Sequence, residues 1–587
     1  MRLLKQLENV SMSVYQTHQL VHSVYMQTGK NHDVLVANIK NSTTNESELM
    51  FVEDPTVKVW VTKLGLRNHS SKKEYAEMSE VDMYSTKYCE VGQTLAKALG
   101  QHGYGQNNFF NQRKLLSSPF VYGADIDIGV RIKGAFRRVN PNQPSVYNVG
   151  TLDIESSVLG NNEIILISFI NGDGNCYCSI LNTFFKPGEG IDDVKKKFET
   201  RVNKQFREAL KPKIQKLYDD NPLKIHYFDT NNELEMIKWL FARIHECKPD
   251  FIGIWNMGYD IPRIIERLEF HGINPADIMC HPEVPKKFRI CKFNKDKGRK
   301  DYHITDYWDW FELSGYTQFI DVMQLYGRLR KAKGRDISYK LDYIGAKELG
   351  TGKLAFGGNR THADMQKNSF VDYTVYNIVD NAILFLMNLK NQDVAILTNL
   401  IGPSNLQDFS KQTVQLKNLF FEWLLPQDKV PASIGEPIDQ DYDKRITNQG
   451  GAVLDPKDAR KAGVPILKES DRITTVQKYI HDIDAKALYP SLMQLGNVSK
   501  ETKLSTALAI DNSGRVGKVD CDLVVLEGAM QVTNGEPVYR NFKVDNFFID
   551  AIYASENAVS IGNEFFDLPS YEEMAQLIAQ GAGIKCA

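Results

Sequence analysis

Three short stretches far apart in the chain, Asp153-Ile154-Glu155, Asn256 to Asp260 and Tyr376 to Asp380, place carboxylates on three different kinds of element. A domain that brings them together has to combine strands with helices. On a strand, residues i and i+2 face one side, so Asp153 and Glu155 project from a single surface. Asp260 follows the end of a second strand, near the turn into a helix. Tyr376 and Asp380 are i and i+4 in the helical segment Tyr373 to Leu386, beside an apolar stripe of Val375, Val379, Ile383 and Leu386 that would dock it on a sheet.

Taken singly, a strand-borne Asp-x-Glu or a helical Tyr-x-x-x-Asp is an ordinary exposed feature; the joint occurrence, in this order and on these elements, is specific. Four carboxylates packed together can hold two Mg²⁺ or Mn²⁺ ions roughly 3.5–4 Å apart, the arrangement that hydrolyses phosphodiesters. An oxygen-only donor set suits those ions better than zinc. Tyr376 would aim the attacking water, since a phenol of pKa about 10 is a poor base at neutral pH.

At 587 residues the chain exceeds what one hydrophobic core can organise, so three or four domains are expected. Lys and Arg number 71 against 73 Asp and Glu, a balance that neither demands nor excludes a polyanionic partner. The cysteines at 89, 176, 178, 247, 280, 291, 521 and 586 show no paired zinc spacing and read as reduced thiols. The longest strongly apolar run, Ile164 to Ile170, is a strand's length, and the N-terminus has no signal-peptide core. The expectation is a cytoplasmic protein with no membrane partner.

Residues 1–145 carry no motif tied to chemistry and are expected to form an N-terminal domain, ending at the turn-rich Asn140 to Pro144. Three strands follow, one ending in Leu152 to Glu155, one over Glu163 to Ile170 and one over Cys176 to Leu181, with connections short enough for an antiparallel meander. Thr230-Asn231-Asn232-Glu233 reads as a capping box opening a helix through Leu234, Ile237, Leu240 and Ile244. The strand Phe251 to Trp255 comes next, and Pro262 is expected near the first turn of the following helix, where its missing N–H costs nothing. This order is that of a ribonuclease-H-like α/β domain over 146–390. Lys286 to Lys300 reads as a basic hairpin near 286–305, and Arg328 to Arg335 as a second basic stretch. Two such runs among the nuclease-type stretches, both between Asp260 and Asp380, favour contact with a phosphate backbone over a merely solvated face.

Thr151 to Glu155, Trp255 to Asp260 and Tyr376 to Asp380 resemble, in turn, the first, second and third exonuclease motifs of family B DNA polymerases. Phe319 to Tyr326 is similar to that family's connecting strand. The basic hairpin and Ser118 to Gly123 resemble the T-even-like bacteriophage branch. The resemblance implies a proofreading 3′-to-5′ exonuclease with Asp153, Glu155, Asp260 and Asp380 as metal ligands, two Mg²⁺ or Mn²⁺ ions per site, and Tyr376 as a catalytic group. It implies DNA as partner, both a single-stranded 3′ end and a primer-template, with Asn256, Lys292, Lys295, Lys297, Arg299 and Lys300 in contact with it. A sliding clamp is a further candidate partner.

Tyr479 to Ser491 resembles the family's first polymerase motif, with Ala487 where Ser is usual. By that resemblance Asp484 is a polymerase metal ligand, Tyr489 a steric gate beneath the incoming sugar, and Leu488 its neighbour in the nucleotide site. Residues 391–470 are expected to link back to the N-terminal domain, and 471–587 to form part of the palm and the start of the fingers. The nucleotide-gripping helix and the second catalytic carboxylate are not found after Ser491. The expectation is therefore an α/β and α+β multidomain N-terminal part or subunit of a family B replicative polymerase, with a second polypeptide, or a continuation of this one, supplying the remaining palm, fingers and thumb. The alternatives are a stand-alone exonuclease with a vestigial polymerase segment, and a non-catalytic DNA-binding scaffold of a replisome.

Overall fold

The computed structural model describes residues 2–4, 12–68, 72–100, 115–140, 147–296, 303–354, 361–400 and 405–434, together with five short strands between 507 and 566. The chain divides into two compact units, Met1–Ile438 and Asp439–Ala587.

The first unit begins with a four-stranded sheet in the spatial order Arg2–Leu4, Ser47–Glu53, His32–Asn41, His18–Gly29. Along His32–Asn41 nearly every residue is buried, because both sheet faces are covered. Leu35, Ala37 and Ile39 face a core completed by the helix Ile128–Val139, whereas Val34 and Val36 pack against Val284, Phe288 and Tyr316. The strand Lys429–Pro431 pairs antiparallel with Tyr75–Glu77, and Phe421 and Val430 join the small core around Trp60 and Tyr122.

The carboxylate-bearing region is built on a six-stranded sheet. Its elements are β1 (Val149–Ser156), β2 (Ile164–Ile170), β3 (Asn175–Leu181), β4 (Lys224–Thr230), helix α1 (Glu233–Cys247), β5 (Phe251–Ile254), helix α2 (Met257–Phe270), β6 (Gln318–Asp321) and helix α3 (Phe370–Asn391). The spatial order is β4-β3-β2-β1-β5-β6. β1, β2 and β3 form the antiparallel meander, while β5 runs parallel to β1 and β6 parallel to β5. That is ribonuclease-H-like order with β4 added, parallel, beyond β3.

Helices cover both faces. Ser179, opposite Ile167, hydrogen-bonds the Met236 carbonyl of α1, whereas Ser168, opposite Asp153, meets Asn381 of α3. A strand with both faces buried reads as a continuous apolar run, hence the composition of β2.

Several local expectations are corrected. Thr230 belongs to β4, its backbone committed to pairing with Leu181, so the cap of α1 falls at Asn232, whose side chain accepts from Leu234 and Glu235. Glu233 is instead buried, bonded to Arg267, His271 and the Ile164 amide. Pro262 lies inside α2, beyond its first turn, where the Gly258 carbonyl loses its helical donor. Phe319 to Tyr326 is half strand and half helix: β6 ends at Asp321, which caps Val322–Arg330 by accepting from Gln324.

The basic hairpin pairs Cys291–Asn294 with Trp310–Leu313, further along the chain than its sequence suggests, since Asp296 and Asp309 pin its neck. The second basic stretch is largely used within the protein. Arg328 donates to the Phe409 carbonyl, Arg330 pairs with Asp393 through both nitrogens, and Lys331 and Arg335 share Asp306. Arg328 and Arg330 are the more buried of these cations, whereas Lys331 and Arg335 stay about half exposed.

The second unit shows an antiparallel trio, Ala507–Ala509, Val559–Ile561 and Glu564–Phe566, and a hairpin of Met530–Thr533 with Glu536–Tyr539. Asp484, Leu488 and Tyr489 lie outside the described residues, as do Lys297, Arg299 and Lys300. Among the described residues no helix is long and apolar enough to cross a membrane, and the six described cysteines are free thiols.

Candidate metal centre

β1 and α3 make the centre. Asp153 and Glu155 leave the same face of β1, and α3 crosses that face with Asp380 pointing at them. Ligand oxygens of Asp153, Glu155 and Asp380 all lie within 4.8 Å of one another. Asp380 is buried and the other two half-buried.

The helix is held against the strand by polar as well as apolar contacts. Asn381 donates to the Ser168 carbonyl at 2.9 Å and Ser168 Oγ at 3.1 Å, between β1 and β2. Ile378, Val379, Ala382 and Ile383 fill the core around that anchor.

Asp260 enters from the neighbouring strand. β5 hands over to α2 through Asn256, whose left-handed backbone (φ 71°) makes the sharp reversal and leaves its side chain exposed. Met257 N–H donates to Asp321 Oδ2 at 2.9 Å, so the buried Asp321 fastens the start of α2 to the end of β6. Asp260 then sits in the first turn, buried, with Ile154 of β1 as a backbone hydrogen-bond partner and Glu155 and Asp321 beside it. It is a neighbour of the close trio and stands outside its 4.8 Å circle.

Burial, reinforced by mutual repulsion, pushes every one of these acids towards the protonated form. Asp153 is raised well above the ordinary carboxylate range by burial and by Asp380, Glu155 and Asp260. Burial carries Glu155 to about 7, and Asp380 to about 6 in spite of a neighbouring cation. Asp260 is raised by burial and by Glu155 and Asp321.

That cation is Lys353, which motif reading missed. Its Nζ contacts Asp380 Oδ2 and donates to Tyr376 Oη at 2.9 Å. Burial works against the ammonium, yet Asp380, Tyr376 and Asp153 hold it firmly charged. A tight loop delivers it: Gly350 ends the helix Leu341–Leu349 with φ +101°, and Lys353 N–H donates to Asp342 Oδ1 at 2.8 Å. A Cβ on Gly352 would collide with Asp342. The Gly350-Thr351-Gly352-Lys353 segment shortly before the third carboxylate stretch was the available signal.

Two further groups were also overlooked. Tyr373 Oη donates to Glu155 Oε2 at 2.5 Å, and Asn377 Nδ2 to Asp153 Oδ2 at 2.6 Å. Tyr373 and Tyr376 stack at 5.8 Å with planes 6° apart, and His362 sets its edge against both rings.

The donor set fits divalent metal. It is all oxygen, its three acids meet only one lysine among the described residues, and Asp380 Oδ1 is buried without a hydrogen-bond partner. Lys292 and Lys295 of the basic ribbon are exposed to solvent, outside this cluster.

Residues 152–344 match the family model of the exonuclease domain of family B DNA polymerases, a class whose exonuclease domains use divalent metals. The sheet and helices that bring the carboxylates together thus fall largely within a stretch similar to that exonuclease domain. The DNA-directed DNA polymerase of Escherichia phage RB69 is 24% identical over 289 residues, which is 48% of this chain and 28% of that protein. The chain thus spans well under half the length of this curated relative.

Proposed function

We propose that the chain removes nucleotides from DNA 3′ ends by metal-dependent phosphodiester hydrolysis, the proofreading half of a replicative polymerase. The observation that carries this reading is the convergence of Asp153, Glu155 and Asp380 from one strand and one helix of a ribonuclease-H-like sheet. When bound, a pair of divalent ions supplies water activation and neutralises charge on the reacting phosphate. Asp153, Glu155 and Asp380 would hold them, with Asp260 as the fourth carboxylate alongside.

Lys353 keeps its ammonium on Asp380 and Tyr376, adding positive charge where a phosphate enters. Burial and the Asp380 charge raise the Tyr376 phenol, so it keeps its proton at neutral pH. It therefore orients the attacking water by hydrogen bonding and does not serve as the base. Asn256, at the exposed turn, and the ribbon lysines Lys292 and Lys295 are assigned to the DNA strand.

In the second unit the assignment rests on the resemblance of Tyr479 to Ser491 to a polymerase motif. Asp484, Leu488 and Tyr489 are proposed to take part in template-directed synthesis, together with a nucleotide-gripping helix and a second carboxylate carried elsewhere in the polymerase. Addition of deoxynucleotides to a primer-template by the chain supplied with those two elements, in one polypeptide or two, is the expected outcome.

The nuclease assignment is tested on single-stranded DNA with Mg²⁺. The full chain should degrade it from the 3′ end, Asp153→Ala with Glu155→Ala should reduce activity to background, and Tyr376→Phe should slow it on the order of 10-fold. A wild type that leaves DNA intact at every Mg²⁺ and Mn²⁺ concentration would remove the assignment.

A further inference from the structure

The helix that brings Asp380 to the centre also brings the donors that hold the other two carboxylates. Tyr373, Asn377 and Asp380 are i, i+4 and i+7 on α3, hence on one face. Tyr373 takes Glu155 Oε2 and Asn377 takes Asp153 Oδ2, at the short lengths of hydrogen bonds to ionised or proton-sharing carboxyls. Each bond engages one carboxylate oxygen and leaves the other, Glu155 Oε1 or Asp153 Oδ1, for an ion.

Neither side chain is explained by packing alone. Both are fully buried, among neighbours such as Val375, Ile378 and Val379 that pack as hydrocarbons. Asn377 is a polar residue whose Oδ1 finds no hydrogen-bond partner in that core. An amide with one end unsatisfied is an unfavourable filler, so its N–H end on Asp153 is what accounts for it. Turning the amide over would set its carbonyl against the carboxylate, which fixes the orientation.

The Tyr373 hydroxyl is likewise directed. Gln366 is clamped by the C-terminal end of β1 and the turn after it, accepting from Val158 N–H and donating to the Ser156 carbonyl, both at 2.9 Å. The same amide nitrogen reaches Tyr373 Oη at 3.4 Å, and His362 Nδ1 lies at 2.9 Å. With the Gln366 donor on its oxygen, the hydroxyl has its proton available for Glu155.

We propose that Tyr373 and Asn377 are positioning residues for divalent-metal binding, setting the two strand carboxylates in register with Asp380 from a single helix. This rests on the metal-dependent nuclease reading above. Residues that orient metal ligands through such bonds typically change affinity or activity 10–100-fold when lost.

The test is Mn²⁺ binding by calorimetry on the full chain without DNA, with an Mn²⁺ titration of exonuclease rate alongside. Tyr373→Phe keeps the ring and its stacking and removes only the donor; Asn377→Leu and the milder Asn377→Ser remove the amide. Each should weaken Mn²⁺ binding about 10-fold or more. The rate should recover to within about 3-fold of wild type once Mn²⁺ saturates, a shift in metal requirement that a loss of folding would not give. Mn²⁺ affinity within about twofold of wild type in folded Tyr373→Phe overturns the proposal, as does a rate that stays low at saturating metal. Asp380→Asn separates the two readings. If wild type binds Mn²⁺, Asp380→Asn does not, and Tyr373→Phe binds like wild type, only the positioning role falls; if wild type itself neither binds Mn²⁺ nor cuts DNA, the nuclease reading falls with it.

Discussion

A carboxyl group packed between two others retains its proton longer than one in water, and Glu155 shows the consequence for stability. Burial lifts it from an ordinary 4.5 to about 7, and Asp380 from 3.8 to about 6. Between pH about 4.5 and 7 the unfolded chain has lost those protons while the folded, metal-free chain still binds them. A native state that binds more protons loses stability as pH rises, so this contribution is present on the acid side and disappears through about pH 7. Glu155→Gln removes one ionisation and keeps an acceptor for Tyr373. Thermal unfolding in a chelator should therefore show wild type losing on the order of 1–3 kcal/mol relative to Glu155→Gln between pH 5 and 7.5. Mn²⁺ should cancel the difference by binding the ionised form. Parallel pH profiles for the two proteins would mean that the acids are not held as this geometry requires.

At the scale of elements, the two helices flanking β5 are tied to β2 through one buried group. Glu233, at the start of α1, accepts from the Ile164 amide at 2.6 Å and from Arg267 of α2 at 2.7 and 2.8 Å, with His271 also on it. Both members of the ion pair are about 95% buried, so Arg267→Met strands a carboxylate in the core. That should destabilise by about 3–5 kcal/mol, seen as a lower urea midpoint, whereas Arg330→Met on the more exposed Asp393 pair should lose less. Equal losses would show that burial is not what sets the effect. The same bond explains a limit of sequence reading. Thr230 to Glu233 has the spelling of a capping box, but pairing of Thr230 with Leu181 overrode the local signal and left Glu233 for Arg267. β4, from Lys224 to Thr230, went unread because it is a half-exposed edge strand with weak apolar alternation. The meander, the β5-to-α2 turn and the helix bearing Asp380 were legible because their apolar runs are bounded by turn residues and coincide with burial. Lys353 and Tyr373 were not, since their roles come from contacts across 27 and 218 residues of sequence.

Across the whole first unit, the N-terminal sheet meets the carboxylate domain at the end of its strands remote from the metal centre. Lys40 Nζ lies 2.5 Å from Asp250 Oδ2, a pair 9% and 0% exposed, and Asp250 also accepts from the Asn148 amide at 2.7 Å. Asn148 and Asp250 immediately precede β1 and β5, so the pair anchors the strands that carry Asp153, Glu155 and Asp260 onwards. Five residues of strand from Asn148 to Asp153 span about 17 Å, too far for direct influence on the carboxylates. Lys40→Met should thus act on stability and leave the centre intact. An unpaired Asp250 in that interface should cost about 3–5 kcal/mol, and the amides of His32–Asn41 and Phe251–Ile254 should exchange hydrogen faster. Asp250→Asn added to Lys40→Met removes the stranded charge while keeping an acceptor for Asn148, and should restore part of the loss. Exonuclease rate per folded molecule should stay within about twofold in both variants, because the β1–α3 contacts that place the carboxylates do not involve Lys40. A fall in rate matching that of Asp153→Ala, with stability unchanged, would instead show that the N-terminal sheet acts on the chemistry through β1.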